Sequence, residues 1–279
     1  MKAFAWYDVE NNKRKNAMLS QILQQLGPNP WRNKIQYFDS IDSTNNYAKQ
    51  IAANGAPSGT VIIAGSQTAG RGRLGRSFSS PAGLGLYFSV ILRPHCSPTE
   101  LMHLTCAAGV AACKAVETAT GITPMIKWTN DLILGKRKLG GILTELSVDP
   151  ATGMVAWVII GIGINCCQNA QDFPEEIRNM ACSLGLQQQD IPKMAAALVS
   201  AMSEMDETLL TGKDRILHCF KERCITIGSE ISVVRGDTVK HGLAVDIDED
   251  AGLIVRYPDG SRETVTSGEV SIRGMYGYL

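Results

Sequence analysis

The chain has 279 residues, enough for one large domain, a smaller one and a sizeable core. Its 27 basic residues balance 27 acidic ones, so it is no bulk binder of nucleic acid or of an acidic membrane, and any positive field must be local. Eight cysteines show neither a C-x-x-C pair nor zinc spacing, and there is no signal peptide or long apolar run; they read as buried or free thiols of a cytoplasmic protein.

Residues 18–26 have helical spacing, broken by G-P-N-P at 27–30. The first thirty residues are too few for an independent domain; they are either a docked extra helix or an extension. Residues 34–38 alternate like a strand. Residues 43–53 read as a helix stopped by Asn54-Gly55, with Ser43, Thr44 and Asn45 crowding its start. Such residues serve as plain caps, or leave N–H and hydroxyl groups facing a polar ligand.

An apolar strand at 60–64 leads to Gln67 and then to G-R-G-R-L-G-R at 70–76. Glycines let a backbone approach a ligand closely, successive N–H groups cradle anions, and arginines add forks that match phosphate and carboxylate oxygens. The loop therefore reads as a binder of a phosphorylated small molecule, against the plainer alternative of a solvated basic turn. Gly70, Gly72 and Gly75 match G-x-G-x-x-G, but a strand follows at 86–92 instead of a helix, which excludes a dinucleotide fold. Gly135-Lys136 lacks the upstream glycine of a Walker loop.

A capping box at Ser97 opens a predicted core helix running to Gly121, with His103 a satisfied histidine on it and Cys106 and Cys113 on one face. Residues 125–134 are strand-like around a polar knot, Lys127-Trp128-Thr129-Asn130-Asp131. Charges in so apolar a segment need partners, so the knot is a hydrogen-bonded node or a site. Lys138 stands in a basic turn before a strand at 142–148, where an exposed lysine is the default. A strand from Met154 ends in G-I-G-I-N at 161–165; small residues there let something lie against the backbone, and Asn165 offers a donor and an acceptor. Helices are predicted at 191–210 and 214–223, and short strands with turn signals from Glu230 onward predict a small all-β barrel.

Taken together, these segments resemble the biotin protein ligases. Residues 70–76 match G-R-G-R-x-G-R, residues 127–132 match K-W-P-N-D-L at five of six positions, and Arg137 to Leu143 carries R-K-L-x-G-I-L. Gly161 to Asn165 matches G-x-G-I-N, and Asp42 to Asn45 matches D-S-T-N. Phe78 stands where the family usually has Trp, and Thr129 where it has Pro. A ring able to stack on adenine is kept.

The resemblance implies an α+β fold: a class II aminoacyl-tRNA-synthetase/biotin-synthetase-like catalytic domain at 31–226, a central mixed sheet with helices on one side, then an SH3-like β domain at 227–279. It implies that biotin and ATP form biotinyl-5′-AMP, and that biotin passes to a lysine of a biotin carboxyl carrier domain. Arg71, Arg73, Lys138 and Asp131 would be catalytic. Ser43, Thr44, Asn45, Gln67, Arg71, Gly72, Arg73, Lys138 and Gly141 would hold biotin. Arg73, Arg76, Phe78, Lys127, Trp128, Asn130, Asp131 and Asn165 would hold the nucleotide. Mg²⁺ would come with the phosphates, Asp131 being its candidate carboxylate. No membrane is expected as a partner. No operator binding is expected, since the first thirty residues are too few for the winged helix of repressor-type members; a homodimer through sheet edges is open. The rivals are a lipoate or octanoate ligase or transferase, whose R-R-x-[ST]-G-G-G signature is missing, and a nucleic-acid-binding regulator, which the charge balance disfavours.

Overall fold

The computed structural model describes residues 16–266, 269–273 and 275; the rest of the predicted first thirty residues and of the C-terminal stretch lies outside them. Seven strands form one mixed sheet: β1 (Ile35–Phe38), β2 (Thr60–Ala64), β3 (Gly85–Leu92), β4 (Met125–Lys127), β5 (Asp131–Leu134), β6 (Arg137–Val148) and β7 (Val155–Asn165). Their spatial order is β1-β2-β3-β7-β6-β5-β4. β1 and β2 are parallel, joined through helix α2 (Thr44–Ala53); the remaining neighbours are antiparallel.

β2 and β3 are buried along their whole length. A strand apolar on both faces needs cover on both. Side chains alternate accordingly: Ile62, Ile91 and Ile159 pack with Ala48 and Ala52 of α2. Their neighbours Val61, Ile63, Val90, Leu92, Val158 and Ile160 join the main core with helices α3 (Leu104–Thr120) and α4 (Ile191–Thr208). Helices thus lie on both faces, not on one as the resemblance implied, because α2 covers the face that α3 and α4 leave bare.

The predicted helix from Ser97 divides. The capping box forms, but it starts a 3-10 turn, Pro98–Leu101, and the α-helix proper runs Leu104–Thr120, closed by Gly121 with φ 75°. His103, at the break, is buried and lies 2.8 Å from the Leu209 carbonyl through Nε2. Cys106 and Cys113 are buried on α3, where burial pushes both thiols up to about 12. No helix among the described residues is long and apolar enough to cross a membrane.

Residues 16–26 form a helix, α1, that docks on the main core. Ile22 on it is fully buried, Arg32 donates to the carbonyls of Leu23 and Gly27, and Asn29 Nδ2 donates to Ser203 Oγ at 2.8 Å. Of the two readings left open by the sequence, the docked helix is the one observed for this segment.

After α5 (Lys213–Arg223) the chain pairs briefly with β4, Ile225 N donating to the Ile126 carbonyl at 2.9 Å. It then builds a second, antiparallel sheet from β8 (Glu230–Arg235), β9 (Thr238–Ile247), β10 (Leu253–Arg256), β11 (Arg262–Val265) and β12 (Glu269–Ile272), in the order β11-β10-β9-β8-β12. Trp128 ties the two sheets together: its backbone N–H donates to Thr226 Oγ1 at 2.8 Å and its indole Nε1–H to the Ala251 carbonyl at 2.9 Å.

Because Ile22 is enclosed, Ile22→Ala should destabilise the protein by about 2–5 kcal/mol through lost transfer energy and a residual cavity. Urea denaturation of the two proteins measures it; no loss would mean that α1 does not dock in solution.

Candidate functional site

The site lies on the α2 face of the sheet. α2 covers only part of that face, and beyond its N-terminus the floor is kept shallow by Gly141, Gly161 and Gly163, where β6 and β7 pair. The result is an open cavity of about 160 Å³. Gly161 and Gly163 are required by close approach. A Cβ on Gly161 would lie 2.0 Å from Asn45 Oδ1, and one on Gly163 would lie 2.5 Å from the Phe78 ring. What lies against this backbone is therefore the chain's own Asn45 and Phe78.

Ser43, Thr44 and Asn45 are almost fully buried. Ser43 is the N-cap of α2 and accepts weakly from Asn46 N. Gln67 holds the next residue: its Oε1 accepts from Thr44 N at 2.9 Å and from Thr44 Oγ1 at 3.1 Å, while its Nε2 donates to Ser80 Oγ at 2.9 Å. Gln67 is thus first a brace between β2's exit and the start of α2.

The arginine loop closes on itself, Gly72 N donating to the Arg76 carbonyl at 2.7 Å and Phe78 N to Gly70 at 2.9 Å. Leu74 at its tip is 72% exposed and adopts φ 56°. Arg71 reaches back to α2 and β6, donating to Asn46 Oδ1 at 3.0 Å and to Glu145 at 3.2 Å. Arg73 donates to Asn130 Oδ1 at 2.8 Å, and Asn130 Nδ2 donates to the Ile142 carbonyl.

The polar knot is the turn between β4 and β5, and its Trp128–Thr129 peptide is cis. Lys127 is buried beside the cavity. Asp131, the first residue of β5, meets Lys138 of β6 at 2.6 Å. Gly141 stands opposite Asp131, beside this pair. Lys138 is no exposed turn residue. Its backbone is fixed on both sides, N–H to the Met180 carbonyl at 2.7 Å and carbonyl to Cys182 N at 2.9 Å.

All the predicted site residues line this cavity except Asn165. Asn165 is buried at the end of β7, donating to the Cys182 carbonyl at 3.0 Å and accepting from Gln168 at 3.2 Å. It braces the segment that holds Lys138 and does not face the cavity. Among the residues with direct bonds to the site that escaped the sequence reading are Ser89, a hydroxyl inside the apolar β3 run, and Glu145, a carboxylate between Thr144 and Leu146 on β6. Glu145 receives Asn45 Nδ2 at 2.9 Å, Lys49 at 2.9 Å and Arg71 at 3.2 Å. Burial pushes its carboxyl up, but the hydrogen bonds from Asn45 and Lys49 and the charges of Lys49 and Arg71 outweigh that and hold it below the ordinary carboxylate value.

Residues 37–165 match the model of the Biotin/lipoate A/B protein ligase family, which leaves two acyl groups open. Residues 226–273 match the Biotin protein ligase C terminal domain. A bifunctional ligase/repressor BirA of Bacillus spizizenii is 32% identical over 92% of this chain and 82% of its own. The chain belongs to the biotin protein ligase family. A biotin–[acetyl-CoA-carboxylase] ligase of Mycobacterium tuberculosis is 31% identical over 86% of this chain and 89% of its own. The biotin protein ligase of Aquifex aeolicus, solved in complex with biotin and ATP, superposes with a TM-score of 0.69 and 29% identity over 86% of this chain and 98% of that one.

Glu145 links stability to pH. Its value is depressed in the folded state, so its contribution is complete above the ordinary carboxylate value of about 4.3 and is lost as pH falls through the folded value. The stability gap between the wild type and Glu145→Gln should therefore be constant near neutrality and shrink below about pH 4.3. Melting temperatures from pH 3 to 7, within about those limits, check this; a gap independent of pH would contradict it.

Proposed function

We propose that this ligase joins biotin to ATP as biotinyl-5′-AMP and transfers the biotinyl group to a lysine of a biotin carboxyl carrier domain. The observation that carries the reading is the convergence of Arg71, Arg73 and Lys138 with the polar start of α2 on one cavity. The first step brings two anions together: the biotin carboxylate oxygen attacks the α-phosphorus and pyrophosphate leaves. Arg71, Arg73 and Lys138 neutralise that junction, and the Lys138–Asp131 pair and the fixed Lys138 backbone orient the ammonium beforehand. Ser43, Thr44, Asn45 and Gln67 serve the ureido ring, whose N–H and C=O groups need complementary partners. Arg76, Phe78, Lys127, Trp128 and Asn130 serve the nucleotide.

In the second step the carrier's amine attacks the acyl carbon and AMP leaves. The amine must shed a proton, and among the described residues Asp131 is the one carboxylate lining the cavity. Among the described residues no cluster of three metal-ligating side chains occurs. That fits Mg²⁺, which keeps waters and substrate phosphates and needs only one or two carboxylates. Asp131 would hold it, and it would neutralise phosphate charge.

The reading assigns residues 31–226 to the catalytic part, with α1 docked on it, and the chain from 227 to the small β domain. It places the protein in the cytoplasm, in keeping with its free cysteines. Its partner is the carrier domain of a biotin-dependent carboxylase, and neither DNA nor a homodimer is needed for the two steps.

The protein mixed with ATP and Mg²⁺ should release pyrophosphate when biotin is added and not when lipoate is added, turning over only with a carrier domain present. Lys138→Ala should slow adenylate formation about 10²-fold or more, as for loss of one preorganised transition-state donor. Release with lipoate alone would overturn the choice of acyl group; an unslowed Lys138→Ala would overturn the role of Lys138.

A further inference from the structure

Asn45 is 4% exposed, and both ends of its side-chain amide are committed. Oδ1 accepts from Ser89 Oγ at 2.6 Å; Nδ2 donates to Glu145 Oε2 at 2.9 Å and to the Leu143 carbonyl at 3.3 Å. An ionised carboxylate can only accept, and so can a carbonyl. Turning the amide over would set its oxygen against both of them. Glu145, at the shorter distance, and the Leu143 carbonyl together fix which end of Asn45 faces Ser89, and Asn45 Oδ1 is an obligate acceptor there.

The consequence runs further. Ser89 is fully buried and touches Thr44 Oγ1 at 2.8 Å as well as Asn45. Thr44 Oγ1 also touches Gln67 Oε1 at 3.1 Å, an amide oxygen that can only accept. Each hydroxyl has one proton. Because Asn45 Oδ1 only accepts, Ser89 gives its proton to Asn45, and Thr44 gives its proton to Gln67 or to Ser89. Either way both protons are used inside the protein. Thr44 Oγ1 turns only lone pairs towards the cavity, which suits a ligand N–H. The same carboxylate also draws in Arg71 and Lys49, binding the arginine loop to α2.

We propose that Glu145 is a positioning residue for biotin: it sets the polarity of the Asn45–Ser89–Thr44 hydrogen-bond chain that receives the ureido group, and it anchors Arg71 beside it. Glu145 does not line the cavity and touches no substrate. The inference rests on the biotin reading above, and extends it to a group outside the cavity wall.

The test is Glu145→Gln, which keeps shape but can donate as well as accept. Calorimetric titration with biotin alone, without nucleotide, should show affinity reduced about tenfold or more, the size expected for a charge-assisted hydrogen bond. The KM for ATP should rise by a smaller factor than the biotin affinity falls, since Arg71 alone links Glu145 to the phosphate side. Asn45→Asp alone sets two carboxylates face to face and should also weaken biotin. Asn45→Asp with Glu145→Gln returns an acceptor to Ser89 and a donor to residue 45's other oxygen, so the double variant should bind biotin more tightly than Asn45→Asp alone. If Glu145→Gln does not fold, Ser89→Ala, which removes the next link, should show the same selective loss for biotin. Unchanged biotin affinity in Glu145→Gln, equal losses for biotin and ATP, or a double variant no better than Asn45→Asp would overturn the proposal. A wild-type protein that binds no biotin would overturn the biotin reading itself, a result separate from all of these.

Discussion

Polar groups at the start of α2 are buried, and a buried polar group must find partners. The first N–H groups of a helix have none within the helix. Here Gln67, just after β2, accepts from the Thr44 N–H, while the Asn45 side chain is met by Ser89 on β3 and Glu145 on β6. The helix can come close enough to use them only because β7 carries Gly161 beneath Asn45. Bare backbone on the floor and polar side chains above it are thus one requirement seen from two sides.

The same arrangement divides the labour of the cavity. One wall is a buried hydrogen-bond network, able to match the fixed donors and acceptors of a neutral ring. The other wall is cationic, with Arg71, Arg73 and Lys138 held by Glu145, Asn130 and Asp131. Each positive group is anchored through an acceptor before any substrate arrives, so little reorganisation remains when anions meet. Trp128, whose two N–H groups bind the C-terminal part, and Val270, which lines the cavity, bring the second sheet into this wall.

The motifs were legible because their chemistry is local. Three glycines and three arginines in a seven-residue loop, a Ser-Thr-Asn helix start and a lysine-asparagine-aspartate knot each violate the local pattern of apolar strands. Ser89 and Glu145 left weaker traces. One serine in β3 and one glutamate in β6 are unremarkable at period two, and nothing in chain order says that both point at residue 45. Asn165 misled in the opposite way: an amide at the end of a glycine-rich strand suits a ligand, yet it is used on Cys182 and Gln168.

The sequence by itself determined most of the strands and helices, the arginine loop, the resemblance to the family and many of the residues that line the cavity, because spacing and side-chain chemistry are properties of short segments. The tertiary structure alone decided that helices cover both sheet faces, that α1 belongs to the core, that Lys138 is held at its backbone and its ammonium, and that one carboxylate on β6 governs Asn45 and Arg71. Those facts depend on register between strands far apart in the chain. Such register is set by packing and by the need to satisfy every buried polar group, and no single segment carries it.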